Sequence, residues 1–575
     1  MKRIREKAIT GAAVLGLVLI VLARFRLGIV PLFLGQTAGI SISALFTQRL
    51  IHAQQQFGVS LILSGLLLWL LPGHNLSVAG IRSGEQLLSV IRKGSPIVAG
   101  LLCLAVQSVV FQNQPHITDA TSHVFQAKLF ALGHLTARVP DCFPAFFQHN
   151  VVMNINGGWH TKYFPGQAAW LAPGFALGAP WLMMPLGWAI TTWAFSKLIE
   201  NHYTVREQFF ALALFTLSPL GLLVSASYMS HTTFLMWMLL TFVGWRKGLE
   251  SQRRSQRWFM VAGLCAGFAA ITRPQDMIPA MAGAITAFLF LPMAQKAKTI
   301  RFMIPGILGG MTSLALLLFW NAQVYGAWFS SGYNFGSSYS LTPIIQDSLG
   351  FTNSHTPAKA WQYLLRAMLR FDTALLGWPT CLPLLLIPFV RWPRETKHWV
   401  CGSVLITTVG LYALFPYDGF ELEARYYTPM IPAAILLIAS SLAGWTQSTR
   451  PEWRRIGQIF ILSGILYSGL HVWPHSIWPK YAHAYEQVDM RVYQLAQEVI
   501  PPHQKALILM KEDLHNDFFF SSGFIHNDPE LTHRLLFARY LPDQISCLAQ
   551  AFPDRSMFVI DAMTRTIRPL DTTNR

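Results

Sequence analysis

Apolar runs separated by short basic connections recur along this 575-residue chain and constrain its fold more than any other feature. A stretch of roughly 20 apolar residues crosses a bilayer as a helix, because a helix satisfies its backbone N–H and C=O groups without water. Such runs cover 97–111, 167–195, 209–225, 232–245, 258–271, 277–293, 302–320, 374–390, 399–415, 427–442 and 456–472. With 53% hydrophobic and only 12% charged residues, a soluble globular surface is excluded. The expected fold class is an α-helical polytopic membrane protein. Pro173, Pro180 and Pro185 inside one run agree with this, since membrane helices tolerate proline where neighbours satisfy the freed carbonyls.

The net charge of +17 comes from 44 basic and 27 acidic residues, and its distribution reads as topology. Arg246, Lys247, Arg253, Arg254 and Arg257 form one cluster, and Lys296, Lys298 and Arg301 a second. Arg391, Arg394 and Lys397 form a third, and Arg450, Arg454 and Arg455 a fourth. An even number of runs separates each cluster from the next, so all four fit one cytoplasmic side. Attraction to anionic lipid headgroups follows, and a nucleic-acid partner does not. Parity then places 116–166, 228–231, 272–276, 322–373, 416–426 and everything after Pro474 outside a bacterial-type inner membrane. Before residue 96 the runs 8–22, 27–46 and 59–71 must supply an even number of crossings, expected to be two, for about thirteen in total. The start MKRIREK reads as an uncleaved signal anchor. The expected organisation is N-terminal membrane helices over 1–95, a transmembrane module over 96–473 with outer loops at 112–166 and 322–373, and an extracytoplasmic domain over 474–575.

In that last part apolar density falls. Val488, Val492, Leu495 and Val499 keep a helical spacing, while ALILM at 506–510 and MFVID at 557–561 read as buried strands, giving a small α/β domain. Cys103, Cys265, Cys381 and Cys401 fall in apolar runs, whereas Cys142 and Cys547 are in polar segments and either pair or stay free. No Cys/His cluster indicates structural zinc, and no internal repeat supports an inverted-repeat transporter.

Polar residues able to do chemistry gather in the outer segments. Asp119, in HITDATSH, can act as general base toward a hydroxyl, or can merely cap the helix that follows. In HTKYFPG, Lys162 can neutralise a phosphate leaving group and Tyr163 can bond a headgroup or sugar, with His160 beside them; the alternative is an interfacial anchor. Arg273 in ITRPQDM either meets a lipid phosphate or pairs internally with Asp276. Arg425 and Tyr426 in YDGFELEARYY can read phosphate or sugar hydroxyls, or pack at the interface. His231 is a ligand, a base or a satisfied core histidine. His355 lies in the second outer loop.

The order of these segments resembles the polyprenyl-phosphate-dependent glycosyltransferases of the GT-C fold, the superfamily of protein O-mannosyltransferases and aminoarabinose transferases. The resemblance covers 97–445: an Asp in the first outer loop followed by FQA, KYFPG for the K/R-Y-P-P-G segment, SPLGLLVSASYMSH, ITRP, and ARYYTPMIP for ARYYxPxxP. It implies that Asp119 is the catalytic carboxylate and that Lys162 and Arg273 take the lipid phosphate. With Arg425 added, these form the expected donor-phosphate set, and His160, Tyr163, His231, His355 and Tyr426 are the expected substrate contacts. Departures are Ala120 where the family often has a second acid, His231 where it often has an acid, and Phe164 for the first proline. A divalent metal stays open as a cofactor. The expected function is inverting transfer of a sugar from a polyprenyl-phosphate donor to a glycan, lipid or protein acceptor on the outer face. The alternative is a transporter or flippase of lipid-linked sugars, which calls for charges buried mid-span and related halves.

Overall fold

The computed structural model describes residues 59–64, 81–148, 151–153, 157–334, 355–415, 419, 421–482, 484–511, 519–561 and 564–570. The expected crossings at 8–22 and 27–46, and most of 59–71, lie outside them.

The apolar runs fold as helices, and one end of the bundle is basic. Arg92 donates to Gln208 Oε1 (3.0 Å) and pairs with Glu200 (3.3 Å), and Arg246 Nη1 donates to the Lys197 carbonyl (2.6 Å). Lys298 donates to the Leu249 carbonyl (2.8 Å), and Lys397 pairs with Glu207 (2.9 Å). Three of the four connections that carry basic clusters are therefore laced together at a single end. Helix Met303–Tyr325 leaves Ile304, Ile307, Leu308, Met311 and Leu314 exposed, an apolar face suited to lipid.

Among the described residues four helices are long and apolar enough to cross a membrane, or five if the pair Val205–Leu217 and Pro219–Ser225, bent by 47°, counts as one. That is fewer than the runs predict, in part because several runs are broken. Ser218 makes the 47° bend by capping the second helix, accepting from the Gly221 N–H at 3.2 Å, with Pro219 at its first position.

Two expected spans are corrected. The run 167–195 is two helices, Gly166–Ala176 and Met183–Ile199, because Gly178 takes a left-handed φ of 70° and Pro180 starts a 3-10 turn. Gly166–Ala176 packs on the Thr118–Ala131 helix, whereas Met183–Ile199 runs beside Ile81–Ala105. The run 374–390 is also split: the amphipathic helix Pro357–Leu376 ends there, and Leu382–Arg391 begins anew. Asp372 from the first helix accepts the backbone N–H groups of Cys381 (2.5 Å) and Leu382 (2.7 Å), so a carboxylate caps the second.

At the non-basic end the first outer segment forms a sheet of order β1-β3-β2, from β1 (Ala137–Arg138), β2 (Val151–Met153) and β3 (Gly158–Thr161). The C-terminal part adds a sheet of order β5-β4-β6-β7, from β4 (Ala506–Lys511), β5 (Leu535–Arg539), β6 (Ser556–Asp561) and β7 (Ile567–Pro569). Strand β4 pairs in parallel with β5 and β6, which explains its continuous apolar run; β7 is antiparallel. Phe125, Trp159 and Phe146 of the first segment share a core with Leu507, Phe524 and Phe537. Cys142 and Cys547 are joined by a disulfide across a separation of 405 residues, so the pairing left open by their spacing is made.

Candidate active site

The site begins at the helix Thr118–Ala131, which opens after His116 is fixed by the carbonyls of Tyr485 and Phe111, both 2.9 Å from its ring nitrogens. Ile117 occupies the N-cap position, so Asp119 is not the cap and its carboxylate is turned to other partners. His123 stands one turn further on the same face. Ser122 hydrogen-bonds Thr161 through their hydroxyls, and Gln126 Oε1 accepts the Thr161 N–H at 3.2 Å. These contacts lay β3 along the helix and bring Lys162 and Tyr163 to Asp119.

The glycine of KYFPG serves close approach. A Cβ on Gly166 would lie 2.2 Å from Thr272 Oγ1 and 2.8 Å from the Ile271 carbonyl. Only glycine lets the KYFPG segment meet the end of the Ser255–Thr272 helix, where Arg273 emerges. Asp119, His123, Tyr163, Phe164, Ser230, Thr272, Arg273, Gln275 and Tyr333 accordingly line one cleft, with about 340 Å³ of space between its atoms, part of it open to solvent.

Arg273 makes the internal pairing that the sequence offered, and its side chain also reaches the cleft. It pairs with buried Asp276 (2.5 Å), donates to Ser230 Oγ (3.3 Å) and Tyr412 Oη (3.1 Å), and lines the cleft. Tyr412 also donates to Asp276 and stacks on Tyr426 at 5.1 Å. Arg425 is buried between two carboxylates, its Nη2 3.6 Å from Asp119 Oδ2 and 3.2 Å from Glu421 Oε2. The Tyr426 ring lies within cation–π range of both arginines, 5.2 Å from Arg425 Cζ and 6.0 Å from Arg273 Cζ.

Lys162 is held over the rings of Tyr163 (5.3 Å) and Tyr333 (5.8 Å). Burial lowers its pKa, partly offset by the charge of Asp119. Burial raises the Tyr163 hydroxyl well above the usual tyrosine range, and the charge of Asp119 and a hydrogen bond to it push the same way. Burial brings His123 down to about 4, so its ring is neutral near pH 7.

His231 is fully buried in the first turn of Ser230–Glu250, 6.0 Å from the Tyr426 ring, and neither ring nitrogen has a hydrogen-bond partner among the described residues. Two candidates are not brought to the cleft. His160 packs inside β3, with Nδ1 at the Thr161 carbonyl (3.0 Å) and its ring against Tyr325. His355 is tied to the Ala413 carbonyl at 3.1 Å. His123, Ser230, Gln275, Tyr333 and Tyr412 were not singled out in the sequence. The one-turn spacing of Asp119 and His123 was a signal for the first; Tyr412 sits in an apolar run that carries none.

Among the described residues no group of three or more His, Cys, Asp or Glu side chains is placed to hold a metal ion. The neighbouring acids Asp119 and Glu421 both face Arg425, so this donor set does not fit a divalent cation.

No family model matches the chain, and no curated protein matches it in sequence. It is similar to the solved structure of ArnT from Cupriavidus metallidurans bound to undecaprenyl phosphate (12% identity, 83% of this chain and 90% of that chain, TM-score 0.46). The apo state of that protein gives 11% identity, 80% and 88% coverage, and a TM-score of 0.46. The archaeal oligosaccharyltransferase AglB from Archaeoglobus fulgidus, in complex with an inhibitory peptide and a dolichol-phosphate, gives 10% identity, 82% and 69% coverage, and 0.42. The chain thus has structural matches to ArnT and AglB at low identity and high coverage.

Proposed function

We propose that the protein is a membrane glycosyltransferase that moves a sugar from a polyprenyl-phosphate donor to an acceptor hydroxyl at the outer face, with inversion. The observation that carries this reading is the meeting of Asp119, Tyr163 and Arg273, distant in sequence, at one cleft at the end of the bundle away from the basic connections.

In the reaction the acceptor O–H gives its proton to the Asp119 carboxylate as the acceptor oxygen bonds to the anomeric carbon. The bond from that carbon to the phosphate oxygen breaks, and its electron pair leaves with the lipid phosphate. Arg273 and Lys162 offset the charge growing on that oxygen. The hydroxyl of Tyr163, held in the un-ionised form, is a donor to Asp119 and orients it. No step requires a metal.

The test is Asp119→Asn, assayed in proteoliposomes with a polyprenyl-phosphate sugar and mixed acceptors. Loss of a general base lowers turnover by about 10²- to 10⁴-fold, with folding unchanged by thermal melt. Full transfer by this variant removes the base assignment. Movement of the lipid-linked sugar across the bilayer without covalent product would replace the enzyme by a flippase.

A further inference from the structure

The donor-phosphate set read from the sequence contains three cations, and the geometry separates one of them from the other two. Arg425 is 2% exposed and, like Lys162, is not among the residues lining the cleft, and it alone of the three has a described ion pair with Asp119, which does line it. The same Nη2 that meets Asp119 also meets Glu421. Arg273 and Tyr163 face the open side, and Lys162 is stacked on Tyr163.

Inversion adds a distance requirement. Nucleophile and leaving group occupy opposite faces of the anomeric carbon, and in inverting glycosidases the acid and base carboxyls stand about 6.5–9.5 Å apart to leave room for the nucleophile; a base and a phosphate-holding cation need a comparable gap. A guanidinium 3.6 Å from the base cannot also hold the departing phosphate without bringing that phosphate against Asp119. Arg425 faces two carboxylates, Asp119 and Glu421, where Arg273 pairs with one, Asp276, so an added anion meets the greater repulsion at Arg425.

The segment that delivers Arg425 is itself anchored. Leu422 and Glu423 take left-handed φ values of 56° and 59°, the Leu422 N–H donates to Tyr485 Oη (3.1 Å), and Glu423 pairs with Lys480 (2.5 Å). The carbonyl of the same Tyr485 receives His116, two residues before the Asp119 helix. Base and guanidinium are thus referred to a common point.

We propose that Arg425 is a positioning residue for Asp119, fixing the base through their ion pair, and that the donor phosphate is held by Arg273 and Lys162 without it. This rests on the glycosyltransferase reading above and deepens it.

The experiment uses the full chain in detergent or nanodiscs, with two readouts. Native mass spectrometry with undecaprenyl phosphate reports phosphate binding and the folded state; initial rates report kcat and donor KM. Arg425→Gln is expected to keep phosphate binding and donor KM within about twofold while kcat falls by about 10²-fold or more. Arg273→Gln is expected to lose phosphate binding by about tenfold or more. Added guanidinium should restore part of kcat to Arg425→Ala and none to Asp119→Asn, which a purely structural defect would not allow. Loss of phosphate binding in Arg425→Gln equal to that in Arg273→Gln overturns the proposal. If Arg425→Gln does not fold, Arg425→Lys replaces it; retained phosphate binding with reduced kcat supports the assignment, and lost binding refutes it. Should wild type transfer no sugar to any acceptor, the glycosyltransferase reading fails, and the binding comparison still decides where the phosphate sits.

Discussion

Removing the Cys142–Cys547 bridge, by Cys142→Ser together with Cys547→Ser, should loosen the C-terminal region from the segment that carries the base. Closing a loop across a separation of 405 residues corresponds to about 6 kcal/mol of chain entropy. The membrane helices between the two cysteines shorten the effective loop, so the expected loss is about 2–4 kcal/mol. Docking should survive, because Trp159 packs against Phe125 (4.7 Å) and Phe524 (5.8 Å), and Lys128 donates to the carbonyls of Ile525 (2.5 Å) and Asn527 (2.9 Å). The double variant should therefore fold and open about 30- to 900-fold more often. Limited proteolysis of the C-terminal region under conditions of rapid reclosing reads that ratio directly, with reductant-treated wild type as a second arm. Equal cleavage rates with and without the bridge would refute the idea that it clamps the two segments.

His231→Phe should keep or raise thermal stability by about 1–2 kcal/mol, since it removes two buried nitrogens without described partners. If His231 contacts substrate the same variant loses about tenfold or more in turnover, read alongside the melt; unchanged turnover makes it a core residue. Stability should also fall with acid. Unfolded, His123 takes up a proton below its ordinary 6.5, while the folded chain refuses it until about 4. Stability is then lost as pH drops through that window and levels off beneath it, and His123→Gln should remove up to about 3 kcal/mol of the slope. Chemical denaturation at several pH values measures it, and an unchanged slope would show that His123 does not set it.

The cleft was partly legible because its polar residues stand in the intervals between apolar runs. Asp119, Lys162, Tyr163 and Arg273 stand out where a membrane protein has few charges to spare. Arg425 stood out as well, yet its relation to the base was invisible, since 306 residues of chain separate two groups now in contact. His160 and His355 stood out for the same reason, and only packing shows that each ring is enclosed against a backbone carbonyl apart from the cleft lining.

Apolar patterning by itself determined a helical membrane protein with basic connections gathered at one end, because burying backbone polar groups without water permits little else. ALILM and MFVID likewise announced short buried strands. Only the tertiary structure decided where runs break, as at Gly178 and Asp372, and which cysteines meet. It also decided that Arg425 touches Asp119 while Arg273 lines the cleft. Composition and periodicity record each segment's local preference for lipid or water, whereas these pairings arise from close packing between segments that share no local signal.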